Sequence, residues 1–385
     1  MLKLKKYQIL LVAVILIFII SLIACSDDTI ETPLDSEPIV SKPPIVSNQP
    51  VVSKPAVSIP FEGDLELPVI GATGYASVTI ELKGSPNIDS ETIESIESGI
   101  GFEIIKEEGN WWFIENEIFS GWVQHKYCFI NLPDVIPSII YDNTNTYASK
   151  FISSGKAIPE ITGNGLYAGS SYNERINREE YIMAVLYSMS KKIHLAQQLA
   201  LEQGDSLKIY EAFRPYNIQK SVLEALSTLA YKDPEVMAGI NTFPWNMSWF
   251  IATNTSNHQR GAAIDVSLVK IDTKKNIAIG PYSGIEITKY TEYTMPTQIH
   301  ELSMASAIFT APVTSFSKTA WLEAILSDSM NDAAIRLLKY CTSVGLTPIA
   351  SEWWHFNDLD AKNEVADKSS DGKYVLTEIY SRIPQ

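Results

Sequence analysis

Five residues in this chain could do chemistry together. Ser256-Asn-His-Gln-Arg-Gly-Ala-Ala-Ile-Asp265 carries His258 in a loop and Asp265 in a run, Ala262 to Val269, that reads as a buried strand. An ionised carboxylate in such a strand needs a strong partner. Downstream, Ser351-Glu-Trp-Trp-His-Phe356 sets Glu352 and His355 beside bulky apolar residues. Two histidines and one carboxylate are a normal ligand set for catalytic zinc, with water in the fourth position. A glutamate close to the ligands, but not one of them, can take the water's proton. Arg214 adds a fixed cation. Taken singly, each has a plainer reading: His258 as a turn or core histidine, Asp265 as a buried ion-pair member, Arg214 as a structural salt-bridge partner.

The elements that must position these groups follow from the apolar spacing. Leu207-Lys-Ile-Tyr-Glu-Ala-Phe213 alternates like a strand and delivers Arg214 at its end, where Pro215 biases the arginine toward extended backbone. A helix with Ile218, Val222, Leu223 and Leu226 on one face follows and stops before Pro234. Upstream, Asn177-Arg-Glu-Glu180 reads as a capping box. Ile182, Val185, Leu186, Met189, Ile193, Ala196 and Leu199 then keep helical spacing until Gly204 closes the helix. His194 falls off that stripe and is expected in solvent. Cys341, on the stripe of Ala334, Leu337, Leu338 and Val344, reads as a small core hydrophobe, and so does Cys128 between Tyr127 and Phe129.

Together, Ser256-x-His258-x-x-Gly261-x-Ala263-x-Asp265 and Glu352-x-x-His355 resemble the zinc D-Ala-D-Ala peptidases, most closely the D-alanyl-D-alanine dipeptidase family. The double tryptophan of Glu-Trp-Trp-His is dipeptidase-like, and Glu211-Ala-Phe-Arg214-Pro215 stands where that family has a Tyr-Arg-Pro element. The resemblance spans roughly residues 137–360. It implies an α+β fold, with helices packed on a small antiparallel sheet that carries the metal. It also implies one zinc ion held by His258, Asp265 and His355. Glu352 would be general base and later proton donor, Arg214 would stabilise the oxyanion, and Ser256 would contact substrate. One segment departs from the pattern. In Met295-Pro-Thr-Gln-Ile-His-Glu301 the place of the aspartate that holds the substrate's free ammonium is taken by His300. Glu301 fills that role only after a shift of one residue; otherwise both are loop residues. Two enzymatic readings therefore stand. One is a dipeptidase acting on D-Ala-D-Ala in peptidoglycan metabolism; the other is a D,D-carboxypeptidase, or another murein peptidase, acting on longer wall stem peptides. A third, from another class, is a catalytically silent wall-binding lipoprotein. Glu352 and Arg214 speak against it, since a structural zinc site needs neither.

The rest of the chain says where this chemistry is used. The 385 residues, 45% of them hydrophobic, suffice for about two or three domains. A net charge of −15 excludes a protein that tracks nucleic-acid phosphates, and three cysteines exclude a disulfide scaffold. Residues 1–24 place three lysines before an apolar run from Ile9 to Ile20, the layout of a secretory signal. Leu22-Ile-Ala-Cys25 resembles the bacterial lipobox, which implies lipidation of Cys25; an uncleaved membrane anchor is the alternative. Either exports the remainder and ties it to the outer face of the cell membrane. Residues 25–70 are rich in Pro, Ser and Val and form an extended spacer, able to reach on the order of 100 Å. Residues 71–132 break into short alternating runs separated by Gly, Asn, Asp and Ser, which predicts a small β-barrel. Gly-Asn-Trp-Trp-Phe-Ile followed by Gly121-Trp122-Val123 resembles bacterial SH3-like domains and implies binding to cell-wall peptides. Trp111, Trp112 and Trp122 are candidates for a binding face, with at least one in the core; His125 is expected at the surface. Residues 133–385 remain for the peptidase domain.

Overall fold

Ala263, Ile264, Val266, Leu268 and Val269 are apolar and buried on both faces of one strand, and that strand is the spine of the catalytic sheet. The structure, a computed structural model, describes residues 58–368 and 370–385. The expected signal segment 1–24, Cys25 and most of the proline-rich spacer lie outside the described residues. The spine strand, Ala263–Ile279, pairs along one edge with Asp205–Glu211. Along the other edge it pairs first with Glu352–Asn357 and then with Tyr282–Glu292. Thr347–Ile349 extends the sheet beyond Glu352–Asn357. All these pairs are antiparallel; two short end strands, Ile59–Pro60 and Ile140–Tyr141, run parallel. Beyond Val269 the spine turns polar and exposed and forms a long hairpin through Gly280, whose φ is 58°. The alternation of Ile277 and Ile279 with Ile285 and Ile287 around that glycine is a hairpin signal, so the strand runs further than Ala262 to Val269.

Helices cover the sheet, in keeping with an α+β architecture. Tyr187–Glu202 buries Met189, Ile193, Ala196 and Ala200, and it packs on Asp205–Glu211 and on the helix Asp332–Ser343. Gly204, with φ 76°, ends it as expected. Its start differs from the capping-box reading. Asn177 is not an N-cap but sits at φ 54° in the turn of a hairpin between Ser170–Asn173 and Arg178–Tyr181. Ala184–Leu186 is also a strand, paired with Cys128–Asn131. Val185 and Leu186 lie against a waiting sheet edge, and that pairing overrides the helical spacing they share with Met189. The helix Tyr216–Lys232 follows Arg214 and ends before Pro234, where Asp233 caps the next helix through its side chain. Cys128 and Cys341 are fully buried, and burial pushes both thiols up.

The expected small barrel is an open sheet among the described residues. Its eight strands run in the order Ala184–Leu186, Cys128–Asn131, Thr73–Ala76, Gly101–Glu108, Trp111–Glu115, Ser120–Gln124, Ile80–Lys83 and Thr92–Ile96. Cys128–Asn131 takes its outer partner, Ala184–Leu186, from the following region, and the sheet path runs from that strand to Thr92–Ile96 without closing on itself. Trp112 is fully buried and Trp111 nearly so; only Trp122 stays half-exposed, edge-on to Phe113 at 5.4 Å. His125 is not at the free surface. Its ring lies 4.8 Å from Tyr187 and 5.6 Å from Trp112, and Nε2 contacts the Gly109 carbonyl. His194 is likewise tied down, with Nδ1 2.8 Å from the Asp64 carbonyl.

Candidate metal centre

The register of three strands sets the site. Asp265 lies directly opposite Glu211 on one neighbour and directly opposite His355 on the other. Residues opposite one another in a ladder project to the same face, so Glu211, Asp265 and His355 stand in a row. His258 comes from the turn that precedes the spine. Gly261 makes that turn possible: its φ of 62° is left-handed, and its N–H donates to the His258 carbonyl at 3.1 Å. A Cβ there would lie 2.3 Å from the Phe129 ring, so the small β module packs against the back of the histidine loop. Leu186 N–H donates to the Gly261 carbonyl and fixes the loop from that side.

Three ligand-type atoms converge. His258 Nε2 lies 3.1 Å from His355 Nδ1 and 3.3 Å from Asp265 Oδ1, and His355 Nδ1 lies 3.0 Å from that same oxygen. Each ring is oriented through its other nitrogen: His258 Nδ1 is 2.7 Å from the Ala212 carbonyl, and His355 Nε2 is 3.0 Å from Asn357 Oδ1. Such partners fix tautomer and direction for metal-binding imidazoles. All three residues are buried. Burial pushes the Asp265 carboxyl up, but His258, His300 and His355 outweigh it and hold the group well below the usual carboxylate range. Burial lowers His258; at His355 the hydrogen bond to Asp265 overcomes burial and raises it. Two imidazole nitrogens and a carboxylate oxygen this close together fit a zinc ion.

Glu352 lies three residues before His355 on the same strand, with Oε2 3.7 Å from His355 Nδ1. Burial pushes its carboxyl up to about 8. Arg214 is almost wholly engaged. Its Nε and Nη2 donate to Glu211 Oε2, Nη2 also donates to Asp265 Oδ2 at 3.0 Å, and Nη1 donates to Gln219 Oε1 at 2.7 Å. Of the five guanidinium protons, one on Nη1 is left. Ser256 Oγ accepts from the His258 N–H at 3.2 Å. A cleft of about 660 Å³ opens over the cluster. His258, Asp265, His355, Glu352, Arg214 and Ser256 all line it, with Phe151, Trp249 and Trp354 as apolar wall. Glu301 is not among the lining residues. Its carboxylate accepts from the Ser154 N–H at 2.6 Å and the Gly155 N–H at 2.9 Å and so holds a turn whose residue Ser154 has φ 51°.

Sequence reasoning assigned no role to Glu211, Gln219 or Asn357. The first two have a readable signal: Glu211 ends the strand three residues before Arg214, and Gln219 lies on the first turn of the helix after it. Asn357 two residues beyond His355 has the same parity on its strand.

An α+β sheet that lines up a His-Asp-His set under a cleft, with a buried acid alongside, has the make-up of a metal-dependent hydrolase. The family model described as D-ala-D-ala dipeptidase matches residues 172–374, more than half of the chain, and the chain belongs to that family. Membership makes it a metallopeptidase-type hydrolase whose substrates are related to D-Ala-D-Ala. No curated protein matches it.

Proposed function

We propose that this protein is a zinc peptidase that hydrolyses the D-Ala-D-Ala bond. The observation that carries the proposal is the convergence of His258 Nε2, Asp265 Oδ1 and His355 Nδ1 beside Glu352 at the floor of one cleft. A zinc ion on these three ligands would supply a Lewis acid and an acidified water. The chain's own groups do the rest. Glu352, whose buried carboxyl favours holding a proton, takes one from the attacking water as the new C–O bond forms at the scissile carbonyl. It then gives that proton to the departing amine nitrogen as the C–N bond breaks. The remaining Nη1–H of Arg214 is the donor available to the developing oxyanion, a contribution of several kcal/mol where such a donor is fixed and dry. Ser256 lines the cleft within reach of substrate.

Within this chemistry, two observations favour a D,D-carboxypeptidase on a wall stem peptide over a dipeptidase. Glu301, the candidate for a free ammonium, spends its carboxylate on two backbone amides. The cleft falls in the range that takes a drug-sized ligand, more than two alanines fill. The N-terminal region fits this use: a lipid on Cys25, a spacer, and a small β module with Trp122 and Phe113 half-exposed edge to edge would supply an exported, membrane-tethered enzyme with a grip on the wall. The test is to incubate the zinc-loaded protein with D-Ala-D-Ala and with a stem pentapeptide and to follow D-Ala release. Release from the pentapeptide alone supports the carboxypeptidase, release from the dipeptide the dipeptidase, and release from neither refutes the proposal.

A further inference from the structure

The two oxygens of Asp265 have different surroundings. Oδ1 faces the histidines, 3.0 Å from His355 Nδ1 and 3.3 Å from His258 Nε2. Oδ2 faces the other way, 3.0 Å from Arg214 Nη2 and 3.2 Å from His300 Nε2. His300 is fully buried. Its ring stacks on Phe151 at 4.5 Å and 22°, and stands edge-on to Trp354 at 6.1 Å. Neither ring nitrogen has an aligned hydrogen-bond partner among the described residues, and Asp265 Oδ2 is the acceptor closest at hand for Nε2. Leaving a buried polar group without a partner is costly. The backbone adds to the cost, since φ at His300 is 63°, a left-handed region that side-chain-bearing residues seldom adopt. That conformation is held by the His300 carbonyl, which accepts from the Ile152 N–H at 3.1 Å. The chain thus bears strain and an orphaned imidazole to keep this ring against one carboxylate oxygen.

We propose that His300 is a positioning residue of the metal centre: with Arg214 it holds Oδ2 of Asp265, so that Oδ1 alone serves as the ligand oxygen. The proposal rests on the zinc reading above. A carboxylate free to turn can offer both oxygens to a metal and fill the coordination position that substrate or water needs. Arg214 Nη2, bonded to Oδ2, and the His300 ring, packed with Nε2 3.2 Å from the same oxygen, oppose that turn, the part that partners behind the ligands play in orienting metal ligands. The competing reading is a second cation among Glu211, Asp265 and His300, whose ligand atoms lie within 4.8 Å of one another. The guanidinium of Arg214 already bonds both carboxylates there and supplies the positive charge.

The experiment compares wild type, His300→Phe and His300→Gln as full-length chains in detergent. Phe keeps the stack on Phe151 but has no N–H; Gln keeps a donor of similar reach. The readouts are metal-to-protein ratio, zinc affinity by chelator competition, the visible absorption of the cobalt(II) form, and melting of the metal-free chains. We expect one metal per chain throughout, zinc affinity lower in His300→Phe by about 10–100-fold, weaker cobalt bands as coordination number rises, and recovery of most of the affinity in His300→Gln. His300→Met, which also lacks the donor, replaces the Phe variant if the latter fails to fold. Wild-type affinity with an unchanged cobalt spectrum in the donor-less variant overturns the proposal, and so do two metals per wild-type chain. A wild-type chain that takes up no zinc overturns instead the reading on which the proposal rests.

Discussion

Gly261→Ala should damage both the fold and the metal centre, by amounts that can be worked out separately. The φ of 62° at this position is open to glycine without strain, whereas alanine pays about 1–2 kcal/mol for it. The new Cβ would also meet Phe129 Cε1 at 2.3 Å and Cδ1 at 2.7 Å. Phe129 is fully buried and packs 5.8 Å from Phe213, so its ring must shift within a filled core, which costs typically ~1–3 kcal/mol. A loss of roughly 2–5 kcal/mol is expected from the two effects. Because the Gly261 N–H bonds the His258 carbonyl, the same shift moves a metal ligand, and zinc affinity should fall at least about tenfold. Thermal melts of the metal-free chain measure the first effect and chelator competition the second. A double-mutant cycle isolates the clash: Phe129→Leu should cost about 1 kcal/mol less, or more than that less, when Gly261→Ala is present. A Gly261→Ala protein with wild-type melting and zinc affinity would refute this account of the histidine loop.

Three further outcomes are expected, two from the structure and one from the sequence. Arg214→Ala should lower kcat and kcat/KM together, and because it strands the buried Glu211 carboxylate it should also destabilise the fold by about 3–5 kcal/mol; steady-state kinetics and melting test both, and full activity would count against the assigned role. Glu66 is pushed up by burial to about 7, against an ordinary 4.5, although Ser138 and Gln198 donate to its carboxylate. The folded state therefore keeps a proton that the unfolded state has released, so stability should fall by about 3 kcal/mol as pH rises from 4.5 to 7 and then level off. Glu66→Gln should remove that slope, and parallel melting-against-pH curves for variant and wild type would contradict it. Cys25→Ser should abolish metabolic lipid labelling, since no thiol remains to take the diacylglycerol; unchanged labelling would end the lipoprotein reading.

The chemistry was more legible in the sequence than the scaffold. His258, Asp265, Glu352 and His355 could be read because a metal site needs few residue types at tight local spacing. Their convergence depends on strand register, which pairs residues 211, 265 and 355 and leaves no local trace. The start of the Tyr187–Glu202 helix was misplaced because Ile182, Val185 and Leu186 satisfy helical spacing and strand pairing equally well; the edge of Cys128–Asn131 decides between them. The expected barrel is instead an open sheet among the described residues, with Ala184–Leu186 at one end of its path. Of Trp111, Trp112 and Trp122, at least one was expected in the core; Trp112 fills it, with its Nε1–H donating to Glu107, Trp111 is nearly buried, and Trp122 stays half-exposed. His300 looked like a misaligned loop residue because Asp265, whose Oδ2 lies 3.2 Å from its Nε2, is remote in sequence. Glu301 drew attention as an acid one residue away from the expected place, whereas its carboxylate serves a backbone turn.

The most direct test of a zinc peptidase in this chain is Glu352→Gln, assayed for metal and turnover in the same preparation. Gln keeps the size of the side chain and removes the base, while His258, Asp265 and His355 are untouched. The account predicts close to one zinc per chain, as in wild type, with D-Ala release from a stem pentapeptide slowed by about 10²–10⁴-fold. Loss of the zinc with Glu352 would make that residue a ligand and break the division of roles, and full zinc with undiminished turnover would contradict the mechanism outright.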